Sequence, residues 1–245
     1  MPVFYTSPEL VNDDTLRIEG EEARHISRVM RFGPGDAVEV VDGRGNGFRT
    51  EIVTIGKKKV ECKILTRTRR AGEPDNFVTL ASGLSTGSKF DEIILRGTEL
   101  GVSRFIPLIT EKSKIKTLDS SAEKRRLSRW QNVAIAALKQ SGRSIVPEIV
   151  PPLEYPNLYE RVENPGRLLL FDPAGEDNLS GFTPSAEIAN YTVIIGPESG
   201  FSPAELNLAR EKNVSIFSLG KRILRTENAG PSIVAVLMHI LGEFR

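Results

Sequence analysis

The sequence predicts an α/β protein of two domains, and three observations carry that prediction. Short segments of alternating apolar residues fill positions 16–66, strand-like and helix-like segments alternate from residue 77 onward, and the stretch between them, RTRRAGEPDN (67–76), has no periodicity and holds Gly72 and Pro74. Short alternating runs joined by glycine turns are hairpins, whereas strand and helix in alternation build a parallel sheet with crossovers. A small, mostly antiparallel β domain is therefore expected over 1–72, and an α/β domain over 73–245.

Taken in order, Leu16–Glu19 reads as a brief strand, and Glu21–Met30 as a helix burying Ile26, Val29 and Met30. Ala37–Val41, Phe48–Ile55 and Val60–Thr66 are strands separated by DGRGNG and GKKK. In the second domain the strands are Phe77–Leu84, Arg104–Ile109, Arg167–Phe171, Val193–Ile195 and Val214–Leu219. A helix from Lys89 buries Phe90, Ile93, Ile94 and Leu100 and stops at Gly101, a common helix terminator. A longer helix over Ala122–Ser141 is expected to open with a capping box of Ser120 and Glu123 and to bury a stripe that includes Trp130. Pro156 starts a short helix ending near Asn164, and a long acidic loop spans Asp172–Ala189. The last helix, Pro231–Phe244, has almost no polar face, so it is either central to the fold or part of a subunit interface, with His239 packed or hydrogen-bonded.

Composition narrows the function classes. The chain has 245 residues and a net charge of +1, and no run approaches the ~18 apolar residues of a membrane span. Nor does the N-terminus resemble a leader, so a cytoplasmic protein without membrane contact is expected. The single cysteine, Cys62, alternates with Val60 and Ile64 and reads as core, and two histidines, His25 and His239, make a zinc site improbable. Charge is unevenly spread: residues 110–143 hold nine Lys or Arg against three acids, a local +6. That segment is either a phosphate-binding patch or a solvated helix face.

The chemistry is expected around YTVIIGPESGFSPAEL (191–206). A buried strand ends in Gly196 and Pro197, passes Gly200, and restarts as a helix capped by Ser202 and Glu205 with Pro203 at its first position. Glycines there permit positive φ and close approach of a flat ligand to the backbone. Similar turns follow Gly83 and Leu219–Gly220, and ligands of open α/β sheets bind beyond the carboxyl ends of the strands. No Walker lysine, Rossmann glycine triplet or serine nucleophile elbow is present.

The motifs HISRVMRFGPGD (25–36), TELGVSRFIPL (98–108), RW with QSGRSIVP (129–147), IGPESGFSPAEL (195–206) and LGKRILRTENA (219–229) occur in this order. In them the chain resembles the RsmE-type RNA methyltransferases, which methylate uridine N3 in 16S ribosomal RNA with S-adenosylmethionine. The resemblance implies a small PUA-like β-barrel domain, a SPOUT domain with a deep C-terminal trefoil knot, a homodimer, and 16S RNA or the small ribosomal subunit as partner. It implies a cofactor pocket of Leu170, Phe171, Gly196, Pro197, Glu198, Gly200, Leu219, Gly220, Ile223, Leu224 and Arg225, and no metal. Glu198 and Glu227 are the candidate bases for the N3 proton, and Arg143 and Arg225 the groups that steady the uracil oxygen or a phosphate. Arg28, Arg31, Lys89, Lys124, Arg125, Arg126 and Arg143 are expected on the RNA. Ser199 and Asn228 stand where the family carries glycine and glutamate. Ser199 would narrow the pocket if its backbone required positive φ. The other classes considered are a SPOUT enzyme acting on a different RNA and a non-catalytic RNA-binding or ribosome assembly module.

Overall fold

The structure, a computed structural model, describes residues 2–117, 119–185 and 189–244, with the side chain of Ser180 left aside. It divides into two compact units, Met1–Glu73 with Ile135–Val146, and Pro74–Ala134 with Pro147–Arg245.

In the first unit β1 (Val3–Tyr5), β2 (Thr15–Glu19), β3 (Ala37–Val41), β4 (Asn46–Ile55) and β5 (Lys59–Arg69) form one sheet in the order β1-β3-β4-β5-β2. Every pairing is antiparallel except β1 with β3, which is parallel. Alternation buries Leu16, Ile18, Val38, Val40, Phe48, Ile52, Val60 and Cys62 on one face, where burial pushes the Cys62 thiol pKa up. Two expectations need correction here. β1 was not anticipated, because three residues are too few to show a period. The predicted helix 21–30 is α1 (Gly20–Arg24) followed by a π-helical turn over His25–Val29, closed by Met30 N donating to the His25 carbonyl at 2.9 Å. The extra residue in that turn rotates the apolar stripe, so Ile26 is buried but Val29 and Met30 are 69% and 39% exposed.

The other insert in this unit is built around an ion pair. Arg143 and Glu73 are both about 3% exposed and meet at 2.7 Å. The second Glu73 oxygen accepts the amides of Ser144 and Ile145, each at 2.8 Å. That turn in turn pairs with the β3–β4 connection, where Gly45 N donates to Ser144 O and Val146 N donates to Gly43 O.

The second unit holds a sheet in the order β11-β13-β10-β12-β6-β7-β8, with β9 also on β7 and every pairing parallel. Its strands are β6 (Phe77–Gly83), β7 (Arg104–Ile109), β8 (Glu148–Ile149), β9 (Leu153–Glu154), β10 (Arg167–Phe171), β11 (Asp177–Asn178), β12 (Asn190–Ile195) and β13 (Ser215–Ser218). The central strands are almost wholly buried, as a sheet covered on both faces requires. α2 (Lys89–Glu99), α3 (Ser120–Ser141), α4 (Leu158–Arg161), α5 (Pro203–Glu211) and α6 (Thr226–Ile240) complete the chain.

Helix details sharpen several expectations. Trp130 is buried and packs on Phe90 with ring centroids 4.8 Å apart. The cap of α3 is Asp119, whose Oδ1 accepts the amides of Ser121 and Ala122; Asp accepts more strongly than the Ser120 expected in that role. Leu100 is only half-buried, and the helix predicted from Pro156 to Asn164 is a 3₁₀ turn over Tyr155–Asn157 followed by the single turn α4. The acidic loop after β10 contains β11, and its residues 186–188 lie outside the described ones. α6 begins five residues before Pro231, which sits inside the helix, and the Arg225 carbonyl accepts the amides of Asn228 and Ala229. It packs on α2, β12 and β6, yet Ser232, Val236 and His239 form an exposed stripe, so the helix does have an open face and His239 is not packed.

Two positions are tested by substitution. A Cβ on Gly83 would stand 2.3 Å from the backbone nitrogen of Pro197. Gly83→Ala is therefore expected to lower stability by about 1–3 kcal/mol, as overpacking does, measured by urea unfolding. An unchanged midpoint would refute the close approach. Glu73→Gln leaves the Arg143 charge buried and is expected to cost about 3–5 kcal/mol in the same assay.

Candidate functional site

The parallel registers align three strand ends. Phe171 at the end of β10 stands opposite both Ile195 of β12 and Phe217 of β13. The segments that follow, beginning at Asp172, Gly196 and Leu219, consequently leave the same edge of the sheet. They enclose a pocket of about 870 Å³. Its apolar walls include Phe171, Ile195, Leu219, Ile223, Leu224 and Ile233, and its charged groups are Lys89, Lys112, Asp172, Glu198, Lys221, Arg222 and Arg225, with Ser199 and Thr226 beside them. An apolar pocket of this size with a few charged groups is the usual form of a small-molecule site.

The glycine loop after β12 is held from several sides. Gly83 gives Pro197 its passage, and Gly200 takes a φ of +69°, the left-handed conformation that glycine adopts without strain. Gly196 has no positive φ; its missing Cβ leaves room for the Phe201 ring instead. Ser199 has no positive φ either, so the serine adds no backbone strain, and its hydroxyl donates to the Lys112 carbonyl at 2.9 Å. Lys112 Nζ returns to the Phe201 carbonyl at 2.8 Å. The capping box predicted for α5 is present, and Glu205 does more than cap: one oxygen accepts Ser202 N and the other accepts Glu111 N, both at 2.8 Å. Tyr155 packs against Phe201 with the rings tilted and their centroids 5.2 Å apart, its hydroxyl lies 2.5 Å from that of Tyr159, and burial pushes both phenol pKa values up.

Across the pocket Glu198 pairs with Lys89 at the start of α2. The hydrogen bond from Lys89, helped by the charges of Lys89, Lys114 and Arg225, holds the Glu198 carboxyl below its usual range. Such a group stays ionised at neutral pH and is a weak proton acceptor. Glu227 differs: it lies in the first turn of α6, and its Oε2 is buried with no hydrogen-bond partner among the described residues.

Of the residues expected on the cofactor, Phe171, Gly196, Pro197, Glu198, Gly200, Leu219, Gly220, Ile223, Leu224 and Arg225 line the pocket. Leu170 does not: along a strand alternate side chains face opposite ways, and Leu170 packs in the core with Ala81, Ile106 and Ile194. Asp172, Lys112 and Thr226 line it as well and were missed; Asp172 directly follows the strand end, which was the available signal. Arg143 and Glu227 are not among the lining residues, although Arg225 and Thr226, which precede Glu227, are. Arg28, Arg31, Lys124 and Arg125 are exposed and Arg126 is half-exposed, with Arg31 at a φ of +57°. Lys89 is drawn into the ion pair with Glu198.

The pocket fits S-adenosylmethionine by its donor set. Aliphatic walls and close backbone suit the adenine ring, and carboxylates beside arginines suit a zwitterionic amino-acid tail. Among the described residues no cluster of potential metal ligands occurs and no helix is long and apolar enough to cross a membrane.

Comparison with known proteins agrees with this geometry. An RNA methyltransferase domain model matches residues 73–238, and an RNA methyltransferase PUA domain model matches residues 18–65. Ribosomal RNA small subunit methyltransferase E of Bacillus subtilis is 32% identical over 91% of this chain and 90% of its own length. The protein of that name from Aquifex aeolicus is also 32% identical, over 98% of this chain and 100% of its own. The crystal structure of the Neisseria gonorrhoeae enzyme of that name, bound to S-adenosylmethionine, superposes with a TM-score of 0.88 at 28% identity, covering 100% of both chains. Matched along both halves by family models and over nearly its whole length by relatives of one kind, the chain belongs to the RsmE-type RNA methyltransferase family.

Proposed function

We propose that this protein transfers a methyl group from S-adenosylmethionine to N3 of a uridine in 16S ribosomal RNA. The observation that carries the reading is the 870 Å³ pocket at the aligned ends of β10, β12 and β13, whose walls coincide with the residues expected on the cofactor. Bound there, S-adenosylmethionine supplies an electrophilic methyl group. The protein's own part is to hold the acceptor in line and to manage the N3 proton.

Glu227 is the proposed proton acceptor. One of its oxygens is buried and unpartnered, whereas Glu198 is committed to Lys89. Arg225, on the pocket lining, is placed to steady negative charge as it develops on the uracil ring. Arg143, buried against Glu73, is assigned instead to shaping the 142–146 turn.

The wider reading follows the same line. Residues 1–72 act as an RNA-binding domain, with Arg28 and Arg31 on the RNA, and 73–245 as the methyltransferase domain. The trefoil knot belongs to this proposal: β13 lies beyond β10 from β12, yet α6, which follows β13, packs on β12, β6 and α2. So do a homodimer, for which the exposed stripe of α6 is available, and a cytoplasmic location.

Calorimetry should give S-adenosylmethionine a dissociation constant in the micromolar range, about −8 kcal/mol, and purified protein should methylate small-subunit RNA. Folded protein that binds neither the cofactor nor its demethylated product would dismiss the reading. Glu227→Gln should lower kcat by roughly 10²–10⁴ while leaving cofactor affinity unchanged; a loss confined to cofactor binding would shift the role elsewhere.

The depressed pKa of Glu198 fixes the sign of a pH effect. Its ion pair is fully present above the ordinary glutamate range and is lost only as pH falls through the lowered value. Cofactor affinity of wild type and Glu198→Gln should therefore run parallel between about pH 5 and 7. An inflection there that vanishes in the variant would contradict the assignment.

A further inference from the structure

A second concave region lies between the start of α2 and the first half of α3. It encloses about 590 Å³ and is lined by Gly87, Ser88, Asp91, Arg125, Arg126 and Arg129, with Trp130 behind them. Three guanidinium groups share this notch with one carboxylate. Arg125 and Arg129 stand four residues apart on α3, where like charges repel, so the cluster works against the stability of its own helix.

The few internal partners offset one of the three positive charges and leave two uncompensated. Asp91, only 15% exposed, pairs with Arg129, and Arg125 donates to Ser121 Oγ at 3.0 Å. Arg126 has no partner among the described residues. The amino end of α3 is already capped by Asp119, but Ser88 makes no side-chain cap at α2, which leaves the opening amides of that helix without a side-chain acceptor. The Asp91 and Glu92 amides turn instead to the Ser88 carbonyl, so it is the guanidinium forks that select an anion with several oxygens. Trp130 is 2% exposed and covered by Phe90, so the notch has no stacking platform for a base.

Position supplies the rest. Ser88 lines the notch, and the next residue, Lys89, lines the 870 Å³ pocket and holds Glu198. Consecutive Cα atoms are only about 3.8 Å apart, so the two sites adjoin through one peptide of α2. We propose that the notch grips a backbone phosphate of the RNA strand close to the nucleotide being methylated, through Arg126, Arg129 and Arg125. This rests on the reading of the chain as an RNA methyltransferase. A phosphate held there fixes the strand's position without reading its sequence.

The test uses Arg126→Ala, Arg129→Ala and the double variant, all at exposed or half-exposed positions, with in vitro transcribed small-subunit ribosomal RNA as probe. The plot of log affinity against log salt should flatten by about 0.7–0.9 for the double variant, the whole of one phosphate contact, and by a part of that for each single variant. KM for RNA should rise with kcat little changed, and calorimetric affinity for S-adenosylmethionine should be unaltered. Wild type and double variant with the same slope would overturn the notch and leave the methyltransferase reading standing. Wild type that neither binds nor methylates the RNA would remove both. In a parallel arm with millimolar inorganic phosphate, thermal protection of wild type but not the double variant, together with identical RNA slopes, would identify a free-anion site and overturn the RNA assignment.

Discussion

The pocket at the ends of β10, β12 and β13 depends on one close approach of backbone to backbone. The loop that leaves β12 must cross the end of the neighbouring strand β6, and it does so where Gly83 has no side chain to obstruct Pro197. Everything on the pocket's near wall is placed by that crossing. Once Pro197 is seated, Gly200 turns the chain in the left-handed region, Phe201 drops onto Tyr155, and Ser202 begins α5. Lys112 and Glu205 then tie the loop to the segment after β7, so the wall is held from both flanks. The opposite wall is different in kind: Ile223 is 87% exposed, so it offers apolar surface that a ligand in the pocket would cover.

What could be read in advance follows from how local each signal is. Strand periodicity and glycine turns are local, so the hairpins of the first unit and the strands β6, β7 and β10 were legible nearly to their ends. The capping box at Ser202 was legible for the same reason, because both partners lie within four residues. The π-helical turn at His25–Val29 was not, since one extra backbone residue leaves no trace in composition and yet turns Val29 outward. Pro231 misled in another way: proline favours a first helical position, but the Arg225 carbonyl starts α6 a turn and a half earlier. At the pocket, the residues of the two glycine turns were found, while Asp172, directly after β10, was passed over. Lys112 and Thr226 were not found, because their place depends on contacts between segments distant in sequence.

Charge shows the same division between local pattern and tertiary use. The basic stretch 110–143 reads as one patch, but folding distributes it. Lys112 binds backbone carbonyls of the glycine loop, Lys116 those that follow β7, Lys139 meets Glu22, and Arg143 is buried with Glu73. These cations are spent on the protein's own oxygen atoms. What remains outward-facing is Lys114 and the short run on the first half of α3, beside the start of α2.

That distribution bears on how substrate and cofactor are brought together. Lys89, at the start of α2, pairs with Glu198 of the glycine loop, so that carboxylate is neutralised chiefly from the side of α2. The same helix start presents Gly87 and Ser88 to the arginines of α3. A single rigid element, anchored by Phe90, Ile93 and Ile94 in the core, therefore carries one face of each site. Ser88 faces the notch and Lys89 the pocket, so the two concavities share one helix start, and the geometry of each depends on how that start is packed.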